Sequence, residues 1–189
     1  MKEQRIKNLE KVFSDMILQM WLDLNDDSLK NTPLRIAKMF VNETCRWLYD
    51  DEPKITVFDN QWKYDWMVFV KDMAVKSLCE HHFQPFIGFC HIAYIPWTKI
   101  IWLSKFSRVV DWFARRPQVQ EKLTSQIYEY LKEKLETENI AIYMKAEHLC
   151  MKIRWVNEHK AETITSKLWW AFLTDEKVRQ EFYSVIQQS

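Results

Sequence analysis

The residues best suited to chemistry lie in two short segments. The first is the Cys-Glu-His-His run at 79–82, whose Cys-x-x-His spacing lets a thiolate and an imidazole in one tight turn reach the same metal ion. The second is the His-Leu-Cys run at 148–150. On a β-strand, alternate residues share a face, so we expect His148 and Cys150 to project together.

The two segments together predict a metal site of the catalytic kind. Cys79, His82 and Cys150 supply two thiolates and one imidazole, and three protein ligands leave a fourth position of a zinc ion for water. His81 and His148 are then candidates for proton transfer beside that water. Spacing alone leaves two alternatives open, a closed structural zinc site and a chance pairing.

Hydrophobic periodicity indicates the elements that must position these residues. Apolar residues at helical spacing predict an N-terminal helix over 6–20, and Asn31-Thr32-Pro33 predicts the start of a second helix that runs to about Leu48. Further helices are expected after Ser104, Pro117 and Asp175. Strands are expected at 67–70, 91–95, 100–103, 140–144, 151–156 and 163–168.

This order of elements favours an α+β fold, an antiparallel sheet with helices packed on one face, preceded by N-terminal helices. We expect an N-terminal helical region at 1–60 and a catalytic domain at 61–189. The 189 residues are 48% hydrophobic with a net charge of +1, which argues against nucleic acid or a membrane surface as partner. The N-terminus lacks the apolar core of a signal peptide and no apolar run approaches a membrane span, so a cytoplasmic location is expected.

Several motifs, taken together, resemble the type I GTP cyclohydrolases over 77–182. The matching segments are CEHHFQPFIGFCHIAYIP, LSKFSRVVDWFARRPQVQEKLT, AEHLCMKIR and TITSKL, and NTPLRIAKMF near position 40 is similar to the family's N-terminal helix. The resemblance implies the tunnelling fold and Zn²⁺ held by Cys79, His82 and Cys150. It also implies a homo-oligomer, usually a decamer of two pentameric rings, with active sites between subunits.

The resemblance further implies a reaction and its residues. Zinc-activated water would attack C8 of the guanine ring of GTP, releasing formate and giving 7,8-dihydroneopterin triphosphate. His81 and His148 would move protons, and Ser104 would assist the sugar rearrangement. The implied substrate contacts are Lys105, Arg108 and Arg154 for phosphates, Arg35 and Lys38 as weaker phosphate candidates, and Gln120 and Glu121 for guanine. A carboxylate suits guanine because it accepts paired bonds from N1–H and the 2-amino group.

Two other functions are compatible with these motifs. One is a related tunnelling-fold enzyme of deazaguanine metabolism, a nitrile reductase that uses a cysteine nucleophile and NADPH. The other is an inactive homologue that binds purine nucleotides. A zinc assay and a test for formate release distinguish these from a cyclohydrolase.

The tryptophan content departs from the family pattern. Gly88 is the only glycine beside ten tryptophans, whereas average usage predicts roughly 13 glycines in a chain of this length. Five tryptophans stand where the family typically has glycine: Trp21, Trp47, Trp102, Trp155 and Trp170. We therefore hypothesise that the gene uses UGA for glycine, and that the sequence as written reads those codons as tryptophan.

Overall fold

The computed structural model describes residues 1–155 and 158–187. Its chain divides into two compact units, Met1–Glu52 and Pro53–Ser189. The assignment of residues 1–60 and 61–189 to a helical region and a catalytic domain stays a prediction. Within the described ranges, no helix combines the length and the apolar character that crossing a bilayer requires.

The first unit is helical, as its periodicity predicts. Helix α1 (Lys2–Gln19) packs on α2 (Thr32–Met39), which continues into a π-helical turn (Phe40–Thr44) and a 3₁₀ turn (Arg46–Leu48). Proline lies in the first turn of α2, where its missing N–H has no helical partner to lose. The buried apolar side chains of this unit are Ile17, Pro33, Ala37, Val41 and Cys45.

The second unit is built on a five-stranded sheet. Its strands are β2 (Val68–Cys79), β3 (Pro85–Tyr94), β5 (Pro117–Gln118), β6 (Ile140–His148) and β7 (Thr163–Leu168). They lie side by side in the order β5-β2-β3-β6-β7. All pairings are antiparallel except that of the two-residue β5 with β2. A separate antiparallel pair joins β1 (Val57–Asp59) to β4 (Lys99–Ile101).

Helices cover the sheet and close its core. Helices α3 (Ser104–Ala114) and α4 (Gln120–Leu135) pack on one face of the sheet, against alternate strand residues such as Ile92 and Ile142. Short α6 (Ala171–Thr174) and α7 (Glu176–Gln187) pack on the opposite face, against Ala93 and Ala141. The α+β class and the antiparallel sheet are confirmed, and the C-terminal helices add cover to the second face.

The single glycine lies on β3, opposite Ala146 of β6, where the backbone of β6 leaves no room for a side chain. A Cβ on Gly88 would stand 1.9 Å from the carbonyl oxygen of Lys145 and 2.5 Å from the Cα of Ala146. These are backbone atoms of β6, and they could make room for a Cβ only if the two strands separated. Position 88 therefore requires glycine. The close approach fixes β6 against β3 two residues before His148.

Candidate active site

Two thiols and an imidazole meet at one end of the sheet. Cys79 is the last residue of β2, His148 the last of β6, and Cys150 lies in the short helix α5 (Leu149–Lys152). One potential ligand atom from each lies within 4.8 Å of the other two. Both cysteines are buried and free, so the arrangement is a pre-formed donor group for a metal ion.

A tight loop holds Cys79 in place. The N–H of Cys79 donates to the carbonyl of Gln84 at 2.8 Å, and the N–H of Phe83 donates to the carbonyl of Cys79 at the same distance. The next residue, Glu80, donates its N–H to the carbonyl of Gln118 at 3.1 Å. The backbone on both sides of the Cys79 thiol is therefore hydrogen-bonded where β2 ends.

The segment that carries Cys150 is helical, and the prediction that His148 and Cys150 share a strand face is wrong. Strand β6 ends at His148, and the chain turns at once into α5. The apolar run predicted as a strand at 151–156 therefore begins in this helical turn, and Val156 lies outside the described residues. The turn still brings Cys150 back towards His148 and Cys79.

His148 is held by contacts on two sides. Its ring stacks on Phe86, with centroids 4.5 Å apart and planes 10° from parallel. Its Nε2 lies 2.8 Å from Oε1 of Gln120. Burial lowers the pKa of His148 below the ordinary value for histidine, and the negative charge of Glu121 opposes part of that shift.

Burial raises the pKa of the Cys150 thiol, and the adjacent Cys79 thiol raises it further, whereas the positive charge of Arg154 lowers it. Cys150 consequently keeps its proton at neutral pH in the metal-free chain. Thiols must lose their protons to ligate a metal, so a metal ion that bound here would release protons to solvent.

His82, the predicted third ligand, is exposed and lies outside the group formed by Cys79, His148 and Cys150. Its Nε2 lies 2.7 Å from Nη1 of Arg154. A guanidinium has only donors, so Nε2 of His82 must be the accepting, unprotonated nitrogen. Its neighbour His81 is also exposed, with its ring centroid 6.3 Å from that of His82.

The predicted phosphate-binding residues lie in both units, and Ser104, predicted to assist the sugar rearrangement, lies next to one of them. Ser104 and Arg108 are exposed on α3, whereas Lys105 between them is buried, with its ammonium 5.9 Å from the ring centroid of Trp102. Ser104 begins α3 as expected, although no side chain caps that helix. Arg35 and Lys38 are exposed on α2 in the first unit.

The two predicted guanine contacts at the start of α4 differ in accessibility. Glu121 is exposed and lines a small pocket together with Thr124, Ser125, Thr165, Ser166 and Lys167. Gln120 is only 1% exposed and is hydrogen-bonded to protein atoms. Neither the stacking of Phe86 on His148 nor the contact with Gln120 was predicted, because both depend on strand register and helix placement.

The antiparallel sheet with helices on both faces and the Cys–His–Cys group at its end define an α+β domain with a candidate metal centre. The family model for GTP cyclohydrolase I matches residues 9–187. The GTP cyclohydrolase 1 of Mannheimia succiniciproducens is 44% identical over 188 residues, covering 99% of this chain and 86% of that protein. The protein of the same name from Aeromonas salmonicida is 46% identical over 181 residues, covering 95% and 83%.

The chain therefore belongs to the GTP cyclohydrolase I family. Among solved structures, the apo form of the archaeosine synthase QueF-Like is similar at 17% identity, with a TM-score of 0.44, covering 53% of this chain and 90% of that one. The family resemblance inferred from the sequence motifs is confirmed.

Proposed function

We propose that this chain hydrolyses GTP to formate and 7,8-dihydroneopterin triphosphate in the cytoplasm. The observation that carries the proposal is the convergence of Cys79, His148 and Cys150 in a chain of this family. Two waters enter, at C8 and at the resulting formamide. One water leaves when the rearranged sugar closes on the exposed amine, so the net reaction consumes one water.

The donor set fits Zn²⁺ because two buried cysteine sulfurs and an imidazole are ligands that zinc favours. When bound, zinc supplies the Lewis-acid chemistry that activates water at neutral pH. We assign Cys79, Cys150 and His82 as its ligands. His82 can serve because its Nε2 already lacks a proton; its ring lies outside the group of Cys79, His148 and Cys150, so it must move towards the two sulfurs and exchange its bond with Arg154.

His148 and His81 then remain for proton transfer to and from the ring nitrogens. The lowered pKa of His148 keeps its imidazole neutral near pH 7, as a proton acceptor must be. Ser104 is assigned to the sugar rearrangement. Its exposed position at the first turn of α3 leaves the hydroxyl accessible to a ribose.

Cationic side chains are assigned to the triphosphate. Lys105, Arg108 and Arg154 are the principal contacts, and the N-terminus of α3 adds partial positive charge. Arg35 and Lys38 are further candidates. The exposed carboxylate of Glu121 is assigned to N1–H and the 2-amino group of guanine, which adenine cannot match.

The exposure of Glu121, Arg108 and His81 on a single chain is consistent with a site completed by another copy. We accordingly propose a homo-oligomer, a decamer of two pentameric rings. Light scattering measures its mass directly.

Incubation of zinc-loaded protein with GTP tests the function. We expect formate and a pterin chromophore to appear together, and ATP to give neither. A Cys150→Ser variant is the matched control and should give no product, because one zinc ligand is lost. Wild-type protein with full zinc occupancy that binds GTP but releases no formate would instead be an inactive nucleotide-binding homologue.

A further inference from the structure

The side-chain amide of Gln120 has its orientation fixed by its surroundings. Its Nε2 donates towards the carbonyl oxygens of Met144 at 3.2 Å and Thr163 at 3.1 Å, and towards Oγ1 of Thr165 at 3.1 Å. If the amide oxygen and nitrogen were exchanged, Oε1 would face two carbonyl oxygens, and no hydrogen bond could form between these acceptors. Oε1 is therefore the atom that faces His148, at 2.8 Å from Nε2.

We propose that Gln120 is a positioning residue that fixes the tautomer of His148. An amide oxygen only accepts, so the neutral imidazole of His148 must carry its proton on Nε2. Nδ1 is then the nitrogen with the free lone pair. Stacking on Phe86 sets the plane of the ring, and Gln120 sets its rotation within that plane.

This role replaces direct guanine recognition for Gln120. The side chain is 1% exposed, and both ends of its amide are engaged by protein atoms. A contact with guanine would have to break one of these bonds in a buried environment. The consequence for catalysis rests on the proposed function, whereas the tautomer itself does not.

The tautomer is testable without measuring turnover. We expect ¹⁵N spectra of zinc-loaded protein, labelled at its five histidines, to show His148 protonated on Nε2 alone. The signal is assigned by its absence in His148→Phe. A proton on Nδ1 with a bare Nε2 would overturn the proposal whether or not the protein hydrolyses GTP.

Substitutions separate positioning from substrate binding. Gln120→Met keeps the side-chain volume but removes the acceptor, so we expect both tautomers to appear and kcat to fall 10- to 100-fold with KM for GTP unchanged. Thr165→Val is the matched control, because it removes a partner of Nε2 and leaves Oε1 in place; it should keep the wild-type spectrum. A Gln120→Met variant that raises KM and retains the single tautomer would refute the assignment, and circular dichroism establishes that each variant is folded.

A second inference comes from the environment of the tryptophans. Eight of the ten are exposed, by 45% to 96%, and all eight lie outside the α-helices and β-strands: Trp21, Trp62, Trp66, Trp97, Trp102, Trp155, Trp169 and Trp170. By contrast, only two of the eleven phenylalanines are exposed. Tryptophan is on average highly buried, so these side chains do not occupy the positions that aromatic residues ordinarily take.

Backbone geometry identifies what two of these positions require. Helix α1 ends in a Schellman motif, in which Trp21 N–H bonds Leu18 O at 3.0 Å and Leu22 N–H bonds Ile17 O at 3.3 Å. Trp21 occupies its left-handed position, with φ of 62°. That position is usually glycine. Trp170 has φ of 50° and ψ of −118°, in the mirror image of the β region, which glycine alone enters readily.

We infer that the polypeptide made in its source cell carries glycine at the eight exposed positions, through UGA codons read as glycine. Trp112 behaves differently: it lies within α3, partly buried, with its ring 4.7 Å from that of Phe113 and 5.7 Å from that of Tyr130. We infer that Trp112 is a true tryptophan. Trp47 is partly buried in a 3₁₀ turn. We count it among the glycine positions because the family typically has glycine there.

The coding sequence provides the test. We expect UGA at position 47 and at the eight exposed positions, and UGG at position 112, and peptide masses of the native protein should agree. UGG at positions 21 and 170 would overturn the inference. Independently, Trp21→Gly and Trp170→Gly should raise the Tm of the tryptophan-containing chain, whereas Trp112→Gly should lower it; a fall in Tm for both of the first two would contradict the backbone argument.

Discussion

At the scale of single residues, two histidines are candidates to complete a metal site with one pair of thiols. His148 lies with Cys79 and Cys150, whereas His82 lies against Arg154. Either histidine would complete a set of two sulfurs and one nitrogen, so the kind of ligand atom does not identify which histidine binds the metal. The choice decides which of them remains free to move protons.

We predict that His82→Ala loses zinc and activity together, whereas His148→Ala retains zinc and loses activity. The physical reason is that His82 presents an unprotonated Nε2 whose exposed bond with Arg154 a metal bond can replace, whereas His148 is the histidine assigned to proton transfer. Zinc content per chain after gel filtration measures the difference. His159→Ala, at an exposed histidine, is the control. Zinc loss in His148→Ala with retention in His82→Ala would make His148 the ligand.

At the scale of elements, a bulge in β2 and the end of α4 carry measurable consequences. The register of β2 on β3 shifts between Val70 and Met73, and Asp72 there has φ of 59°. This turns the N–H of Asp72 towards Nδ1 of buried His91, at 3.3 Å. Protonation of that nitrogen would remove the acceptor.

The bulge predicts a pH dependence of stability. Burial lowers the pKa of His91, Asp72 opposes the shift and Lys71 adds to it. Between the lowered pKa and about 6.5, the unfolded chain binds more protons than the folded one, so the free energy of unfolding rises with pH. The stabilisation is full above about 6.5 and is lost as pH falls through the folded pKa.

Urea titrations at several pH values between 5 and 7.5 measure this slope. We expect His91→Gln to reduce it, because the amide oxygen still accepts from Asp72 but does not titrate. His159→Gln should leave the slope unchanged. An unaltered slope in His91→Gln would mean that other groups produce the acid sensitivity.

Helix α4 ends at a residue in a left-handed conformation. Glu136 has φ of 52° and ψ of 36°, a position that glycine occupies without steric cost. We predict that Glu136→Gly raises the free energy of unfolding by about 0.5–1 kcal/mol, despite losing an exposed bond from Thr98. Glu133→Gly, exposed within the same helix, should lower it by about 1 kcal/mol. Chemical denaturation measures both, and equal losses would contradict the conformational argument.

At the scale of the whole molecule, the candidate metal site joins elements far apart in sequence. Cys79 ends β2, and Cys150 follows β6, about seventy residues later. A ligand that binds only the folded state stabilises it by about 2.7 kcal/mol at a concentration 100 times its Kd. Zinc should therefore stabilise the fold as well as serve the reaction.

We predict that a chelator lowers the Tm of the zinc-loaded protein and that added zinc restores it. The double variant Cys79→Ser, Cys150→Ser should have a low Tm that responds to neither treatment. Differential scanning calorimetry makes the comparison. A wild-type Tm that does not change with chelator would show that the ion contributes nothing to folding.

Much of this arrangement could be predicted from the sequence. The bounds of β7 match the alternating run at 163–168, and the last helix is capped as expected, since Asp175 Oδ1 accepts from the N–H of Lys177 at 2.8 Å. Strand β2 continues beyond the predicted end at residue 70. The prediction stopped there because exposed Lys71, Asp72 and Lys76 interrupt the apolar pattern. The helical turn at Cys150 contains Met151 and is followed by Ile153, and this apolar pattern is equally compatible with a strand.

The contacts that orient the site could not be predicted in this way. Gln120 reaches His148 only because α4 packs across β6 and β7, and Phe86 reaches it only through the register of β3 on β6. Both depend on packing between segments distant in sequence. The Cys-x-x-His spacing identified His82 as a ligand candidate but gave no information on its bond with Arg154.

Because Cys79 and Cys150 lie close together, we expect the metal-free chain to be open to oxidation by air at this pair. Their sulfurs lie within 4.8 Å of each other, and a small movement of α5 would allow a disulfide to form. Such a bond would consume both donors at once and leave a folded but inert protein. Bound zinc would shield the pair, so loss of the ion and oxidative inactivation should occur together and be reversed together by reductant and metal.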